Sequence, residues 1–217
     1  YNALGANTDG GKNVAIGYEA IEASTSIGNL TAVGYRALKN NGTTGYSNTA
    51  VGYLCLTENT TGSYNTAVGR ESLNACTTGS NNTAVGYLAL DTCNTADNNT
   101  ALGYTALTLS TTATQNTALG CAAGNSVTTG SYNVLIGYRA GSYQTPLTTG
   151  NKNICIGTDA YTSSADGEYQ IVIGTHQDVG KGNNTGYIQP ANGGVYQGNN
   201  SSSWSTTSDR RIKKNIV

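Results

Sequence analysis

The phrase Asn-Thr-Ala-Val-Gly-Tyr-x-Ala-Leu returns, with small changes, along most of this chain. Anchored on its glycine, the copies fall at Gly5, Gly17, Gly34, Gly52, Gly69, Gly86, Gly103, Gly120, Gly137, Gly157 and Gly174. Seven of the ten intervals are 17 residues, and the others are 12, 18 and 20. A fixed period of this size builds a stack of like units, each buried against its neighbours, in place of one globular core. Residues 1–177 are therefore predicted to form about eleven 17-residue coils.

Composition narrows the picture. Glycine supplies 29 of 217 residues, Phe and Met are absent, Trp occurs once, and only 37% of residues are hydrophobic. Such a core is thin, and has to be continuous along the stack or shared between subunits. Charged residues make up 11% and the net charge is −1, which offers nucleic acid no basic surface and gives no repulsion-driven disorder. No apolar run reaches membrane-spanning length. The chain begins in mid-repeat, as expected of a piece of something longer. No cofactor motif is present, and no Cys-x-x-Cys or Cys/His spacing points to a metal. Cys55 and Cys155 stand where other copies carry small residues, the profile of buried hydrophobes. Cys76 and Cys93, 17 apart, occupy the same place on adjacent coils. Free thiols are the expected state of this pair, and its oxidation is left open.

With the glycine as position zero, −3 is Thr, Val or Ile and −1 is Val, Leu or Ile. Two apart, they share one strand face, and that face is expected to point inward. Val85 would then be buried between Val68 and Leu102, and the threonine ladder, hidden with it, would not bind ice. Position −2 is mostly Ala, leaving room for a second surface. Position +1 is often Tyr, +3 is small, and +4 is usually Leu or Ile; a Gly-bounded piece this short sustains no helix. Polar turns such as Thr60-Thr61-Gly62-Ser63 separate the copies. The predicted fold is all-β, a parallel β-solenoid whose coils stack at about 4.8 Å into a rod of about 50 Å. Since one such coil encloses little, a homotrimer that covers the Ala/Tyr/Leu surface is expected.

The copies Asn65-Thr66-Ala67-Val68-Gly69 and Asn13-Val14-Ala15-Ile16-Gly17 resemble the Hep/Hag-type repeats of trimeric autotransporter adhesin heads. That resemblance implies trimers of left-handed parallel β-rolls. The period of about 17 here is longer than is usual in those heads.

After Gly174 the period stops. Residues 178–207 read as a neck rich in Gly, Asn and Ser, with Tyr187, Tyr196 and Trp204 as anchors. Residues 208–217 hold four of the eleven basic residues, Arg210, Arg211, Lys213 and Lys214. The run from Trp204 through Ser-Asp-Arg-Arg-Ile-Lys-Lys-Asn-Ile (Ser208 to Ile216) resembles the opening of the endosialidase-type intramolecular chaperone, a self-cleaving C-terminal domain of phage tail fibres and tailspikes. The resemblance implies a dyad of Ser208 and Lys213 acting on the Thr207–Ser208 bond. A serine hydroxyl needs a base, and a lysine of depressed pKa can serve. Together the two resemblances imply a phage virion fibre, homotrimeric and extracellular, that contacts a host-surface glycan or protein receptor and is matured by C-terminal self-cleavage. A bacterial trimeric autotransporter-type surface adhesin is the alternative. Apart from self-processing no enzyme is expected: Asp159, Asp166, Glu168 and Asp178 beside His176 read as solvated loop charges with at most a weak cation site.

Overall fold

In the computed structural model, residues 1–42, 44–190, 193–198 and 203–206 are described. They form a single all-β sheet and contain no helix. Ten short strands succeed one another once per coil: β1 Val14–Ile16, β2 Thr31–Val33, β3 Thr49–Val51, β4 Thr66–Val68, β5 Thr83–Val85, β6 Thr100–Leu102, β7 Thr117–Leu119, β8 Val134–Ile136, β9 Ile154–Ile156 and β10 Ile171–Gly174. Each pairs in parallel with the next, and the register places equivalent repeat positions opposite each other, as in Thr66↔Thr83, Ala67↔Ala84 and Val68↔Val85. β11 Gly186–Gln189 adds one more parallel strand, whereas β12 Val195–Gln197 and β13 Ser205–Thr206 turn antiparallel. The predicted parallel solenoid with 17-residue spacing is what the chain forms.

The first coil corrects the anchor count. The Leu4 amide bonds the Ala20 carbonyl and the Glu19 amide bonds that of Tyr1. These bonds make Tyr1-Asn2-Ala3-Leu4 the Tyr-x-Ala-Leu segment, so Gly5 is not an anchor and the 12-residue interval is an artefact of counting it.

The strand faces also lie opposite to expectation. At −2, Ala32, Ala50, Ala67, Ala84, Ala101 and Ala118 are fully buried, while −3 and −1 look outward. Thr83, Thr100 and Thr117 are exposed, and Val85 is only half-buried. The interior is too narrow for two large layers. It is filled from the other wall by +4, where Ile21, Leu38, Leu56, Leu73, Leu90 and Leu107 are fully buried, with small residues at +3. At one coil the volumes trade places. Leu135 occupies −2, and +4 becomes Gly124 across from it and Gly141 in the next coil. A Cβ on Gly124 would meet Leu135 Cδ1 at 2.6 Å, and one on Gly141 would meet Leu135 Cδ2 at 2.8 Å. Constant volume, not constant residue, is what this core maintains. A single chain thus buries its own Ala and Leu surfaces, and the expectation that a trimer is needed to cover them is withdrawn.

Two backbone features hold the coil. The anchor glycines from Gly17 to Gly157 have φ between 128° and 149°, and a Cβ on Gly86 would strike the Gly103 carbonyl of the next coil. Non-glycine residues at −5, +2 and +4 are left-handed in coil after coil, for example Gln115 (57°), Leu88 (52°) and Leu107 (50°). Each such residue costs about 1–2 kcal/mol locally, which burial and inter-coil bonding offset.

An asparagine spine runs beside the strands. At −4, Asn48, Asn65, Asn82, Asn99, Asn116, Asn133 and Asn153 are buried. The Oδ1 of each accepts the backbone N–H of its successor, from Asn48 (2.9 Å, donor Asn65) to Asn153 (3.0 Å, donor Gln170). Each Nδ2 donates to a turn carbonyl, as Asn99 does to Ala113 at 2.8 Å. Leu30 interrupts the spine, and Asn48 there turns to the Gly45 carbonyl and Asn41 Oδ1.

Candidate interaction surface

The outward columns make the broadest candidate surface. The −3 and −1 rows present Thr, Val, Leu and Ile side by side along β1–β10 without a charged residue. Beyond the glycine bend, the +1 residues stack. Tyr1, Tyr18, Tyr35 and Tyr53 follow one another with ring centroids 5.9, 5.3 and 5.2 Å apart and nearly parallel planes. Arg70 takes the next place, its guanidinium 5.6 Å from the Tyr53 ring and 5.5 Å from that of Tyr87, which stacks on Tyr104 at 5.3 Å. Offset stacking and cation–π contact therefore continue through the substitution. Exposed Cys121 then breaks the column before Tyr138. At the far end, Ile156, Ile173, Ile188 and Pro190 line a shallow apolar hollow of about 180 Å³.

Apart from Arg70, the charges nearest this surface pair with one another at Glu19 and at Asp159. Glu19 accepts from Arg36 Nε at 2.7 Å and lies 2.8 Å from Lys39 Nζ. Lys39 first, with Tyr18 and Arg36, holds its carboxyl down at about 2. Asp159, nearly fully buried, takes a two-pronged bond from Arg139 at 2.7 and 2.9 Å; such forked pairs are strong and geometrically specific. Asp159 is therefore structural, not a solvated loop charge. Glu168 accepts from Asn151 Nδ2, and Asp178 from the His176 backbone amide. Among the described residues no group of three or more His, Cys, Asp or Glu could hold a metal ion, and no helix is long and apolar enough to cross a membrane.

Among the described residues, one carboxylate oxygen, Asp91 Oδ1, is buried without a hydrogen-bond partner. Burial first, and then the charge of Glu71, push its pKa up to about 6. It occupies +5, where Thr57 and Thr108 donate their hydroxyls to the +2 carbonyls of Arg36 and Leu88. Ionised, Asp91 has no proton to give the equivalent carbonyl of Glu71.

Inside, the +7 column runs Ser24, Asn41, Asn59, Cys76, Cys93, Ser110 and Val127, all fully buried. The Cys76 and Cys93 sulfurs lie 3.0 Å apart as free thiols. Burial raises the pKa of Cys155 to about 12 and of Cys55 to about 11, so neither is reactive.

The sequence-predicted site residues Ser208 and Lys213, with the Thr207–Ser208 bond, lie outside the described residues. Sequence reading missed the asparagine spine, although Asn opens every copy of the phrase but those of Leu30 and Gln170. The stacking of tyrosine over tyrosine follows from the repeat itself, but that these rings stand exposed on the single chain was not foreseen. Comparison with protein-family models, curated proteins and solved structures finds no match for this chain.

Proposed function

We propose that the protein is the shaft and receptor-binding part of a phage tail fibre, homotrimeric and matured by C-terminal self-cleavage. The observation that carries this reading is the long uncharged outer stripe of the rod. The −3 and −1 rows run without a charged residue over ten strands, flanked by the +1 column of stacked tyrosines with Arg70 among them, a surface suited to lateral association with like copies. Regular stacking supplies stiffness and reach, which a fibre needs and a catalytic domain does not. The C-terminal resemblance supplies the virion context and favours a phage fibre over the bacterial adhesin. Ser208 would attack the Thr207 carbonyl, and Lys213 would take its proton once folding of the chaperone removes water from it. The Thr207–Ser208 C–N bond would break as Lys213 passes that proton to the Ser208 nitrogen, and water would then hydrolyse the ester that joins Thr207 to Ser208 Oγ, freeing Thr207 as the new C-terminus.

The test restores a complete chaperone downstream. A trimer by sedimentation, with its C-terminus at Thr207 by mass spectrometry and no cleavage in Ser208→Ala, supports the reading. A folded monomer refutes the trimer, and normal cleavage of Ser208→Ala refutes the dyad. Val85→Asp separates the faces: with −1 outward, the coil folds and only the association is lost, whereas Ala84→Asp buries an unpaired carboxylate and unfolds it.

A further inference from the structure

We infer that Cys76 and Cys93 form an inter-coil disulfide when the chain folds in the presence of a small-molecule disulfide, a covalent staple inside the solenoid. The backbone brings the pair together. On either side, Ala75 donates its N–H to Asp91 and Thr77 to Asn94, at 2.9 and 3.2 Å. The two cysteines are thereby held opposite each other at the coil spacing of about 4.8 Å, within the Cα separation a disulfide spans. Their side chains converge: Sγ to Sγ is 3.0 Å, and each sulfur also faces a turn carbonyl, Cys76 that of Gly79 and Cys93 that of Ala96. The interior has space for both sulfurs because position 79 is glycine. A Cβ there would sit 3.0 Å from each of them. No other pair of adjacent coils carries cysteine at +7; the flanking occupants are Asn59 and Ser110.

The chemistry balances as ordinary exchange. One cysteine thiolate attacks the small disulfide, forms a mixed disulfide and expels one small thiolate. The second cysteine, deprotonated, attacks the protein sulfur of that bond and expels the other. One S–S bond forms and one breaks, two electrons pass to the small disulfide, and two protons leave the cysteines. The fold also sets the timing. In the closed solenoid both thiols are fully buried, and Cys76 together with burial drives the Cys93 pKa far up, so the assembled pair is inert as a nucleophile. Oxidation belongs to folding, before the coils close, and the finished bond is then shielded from reductants.

The chain is refolded from denaturant in two ways, with excess reduced thiol or with a mixture of reduced and oxidised glutathione, and mapped by non-reducing peptide mass spectrometry. The expected oxidised product has one linked pair, Cys76 with Cys93, and three thiols titratable in denaturant. Its 17-residue loop raises Tm by roughly 5–10 °C over the reduced form. Cys93→Ser, which repeats the Ser110 occupant of the same column, should fold, show no link and have the same Tm under both conditions. Five free thiols after oxidative refolding, a link to Cys55, Cys121 or Cys155, or a linked product no more stable than the reduced one would each overturn the staple.

Discussion

The trade of volumes between Leu135 and Gly124 can be reversed in the laboratory. Leu135→Ala alone removes a fully buried side chain, and on the scale of large-to-small core changes costs about 3 kcal/mol. Gly124→Leu alone places a Cβ 2.6 Å from Leu135 Cδ1. It also asks a leucine to adopt the left-handed conformation that Gly124 now holds at φ 59°. Overpacking and backbone together cost about 2 kcal/mol, because leucine already tolerates that conformation at Leu90 and Leu107. The double variant restores the Ala and Leu pairing of the other coils. It should be destabilised by only about 2 kcal/mol, the remainder coming from the void left beside Gly141. Singles and double therefore differ by a coupling of about 3 kcal/mol, measurable by urea denaturation followed by circular dichroism. If the double variant loses the sum of the two singles, −2 and +4 do not share one space, and the account of the core given above is wrong.

Two further outcomes follow from the spine and from Asp91. Asn99→Ala deprives the buried Asn116 amide of its acceptor and the Ala113 carbonyl of a donor. It should cost about 3 kcal/mol in the same assay, against less than about 0.5 for Thr95→Ala on the exposed turn; equal losses would show the spine to be incidental. Because the Asp91 pKa is raised in the native state to about 6, the folded chain holds a proton more tightly than the unfolded one. Its contribution is therefore fully present below about pH 4 and is lost as pH rises through about 6. With Asp91 only half-buried, the loss is discounted to about 1 kcal/mol. Asp91→Thr should be more stable than the parent by about that much at pH 7.5 and indistinguishable at pH 4, in urea melts at both; a pH-independent difference would place the charge elsewhere.

The repeat spacing, the parallel sheet and, among the described residues, the absence of helices were legible because each is a property of periodicity. The direction of the strand faces was not. Val, Leu and Ile outrank Ala in hydrophobicity, so the rule that apolar residues point inward chose −1, and −3 followed because it shares the strand face with −1. The decisive signal was subtler: −2 grows to Leu135 only where +4 shrinks to Gly124 and Gly141, which marks the two positions as facing each other. The misplaced Gly5 anchor arose from reading glycine alone, while Tyr1-Asn2-Ala3-Leu4 already spelled the adjoining segment. Left-handed Ile21 and Leu107 could not have been read from propensity, since nothing in a β-branched or γ-branched residue favours positive φ. The asparagine spine was visible as Asn at −4 in all but the Leu30 and Gln170 copies, but Asn is so common in this chain that the pattern did not stand out.

The identical register of β2 through β9 has a consequence for the history of the rod. Because every coil meets only the coil before and the coil after, through the same set of contacts, removing or inserting one whole coil leaves two surfaces that already fit each other. Length can therefore change in steps of one coil, about 4.8 Å, while cross-section and surface chemistry stay the same. The 18- and 20-residue intervals show the complementary freedom: extra residues are absorbed in the turns without shifting the strands. A molecule of this kind can be resized without redesigning its coil, and its reach is a variable that selection can adjust while every interface stays the same.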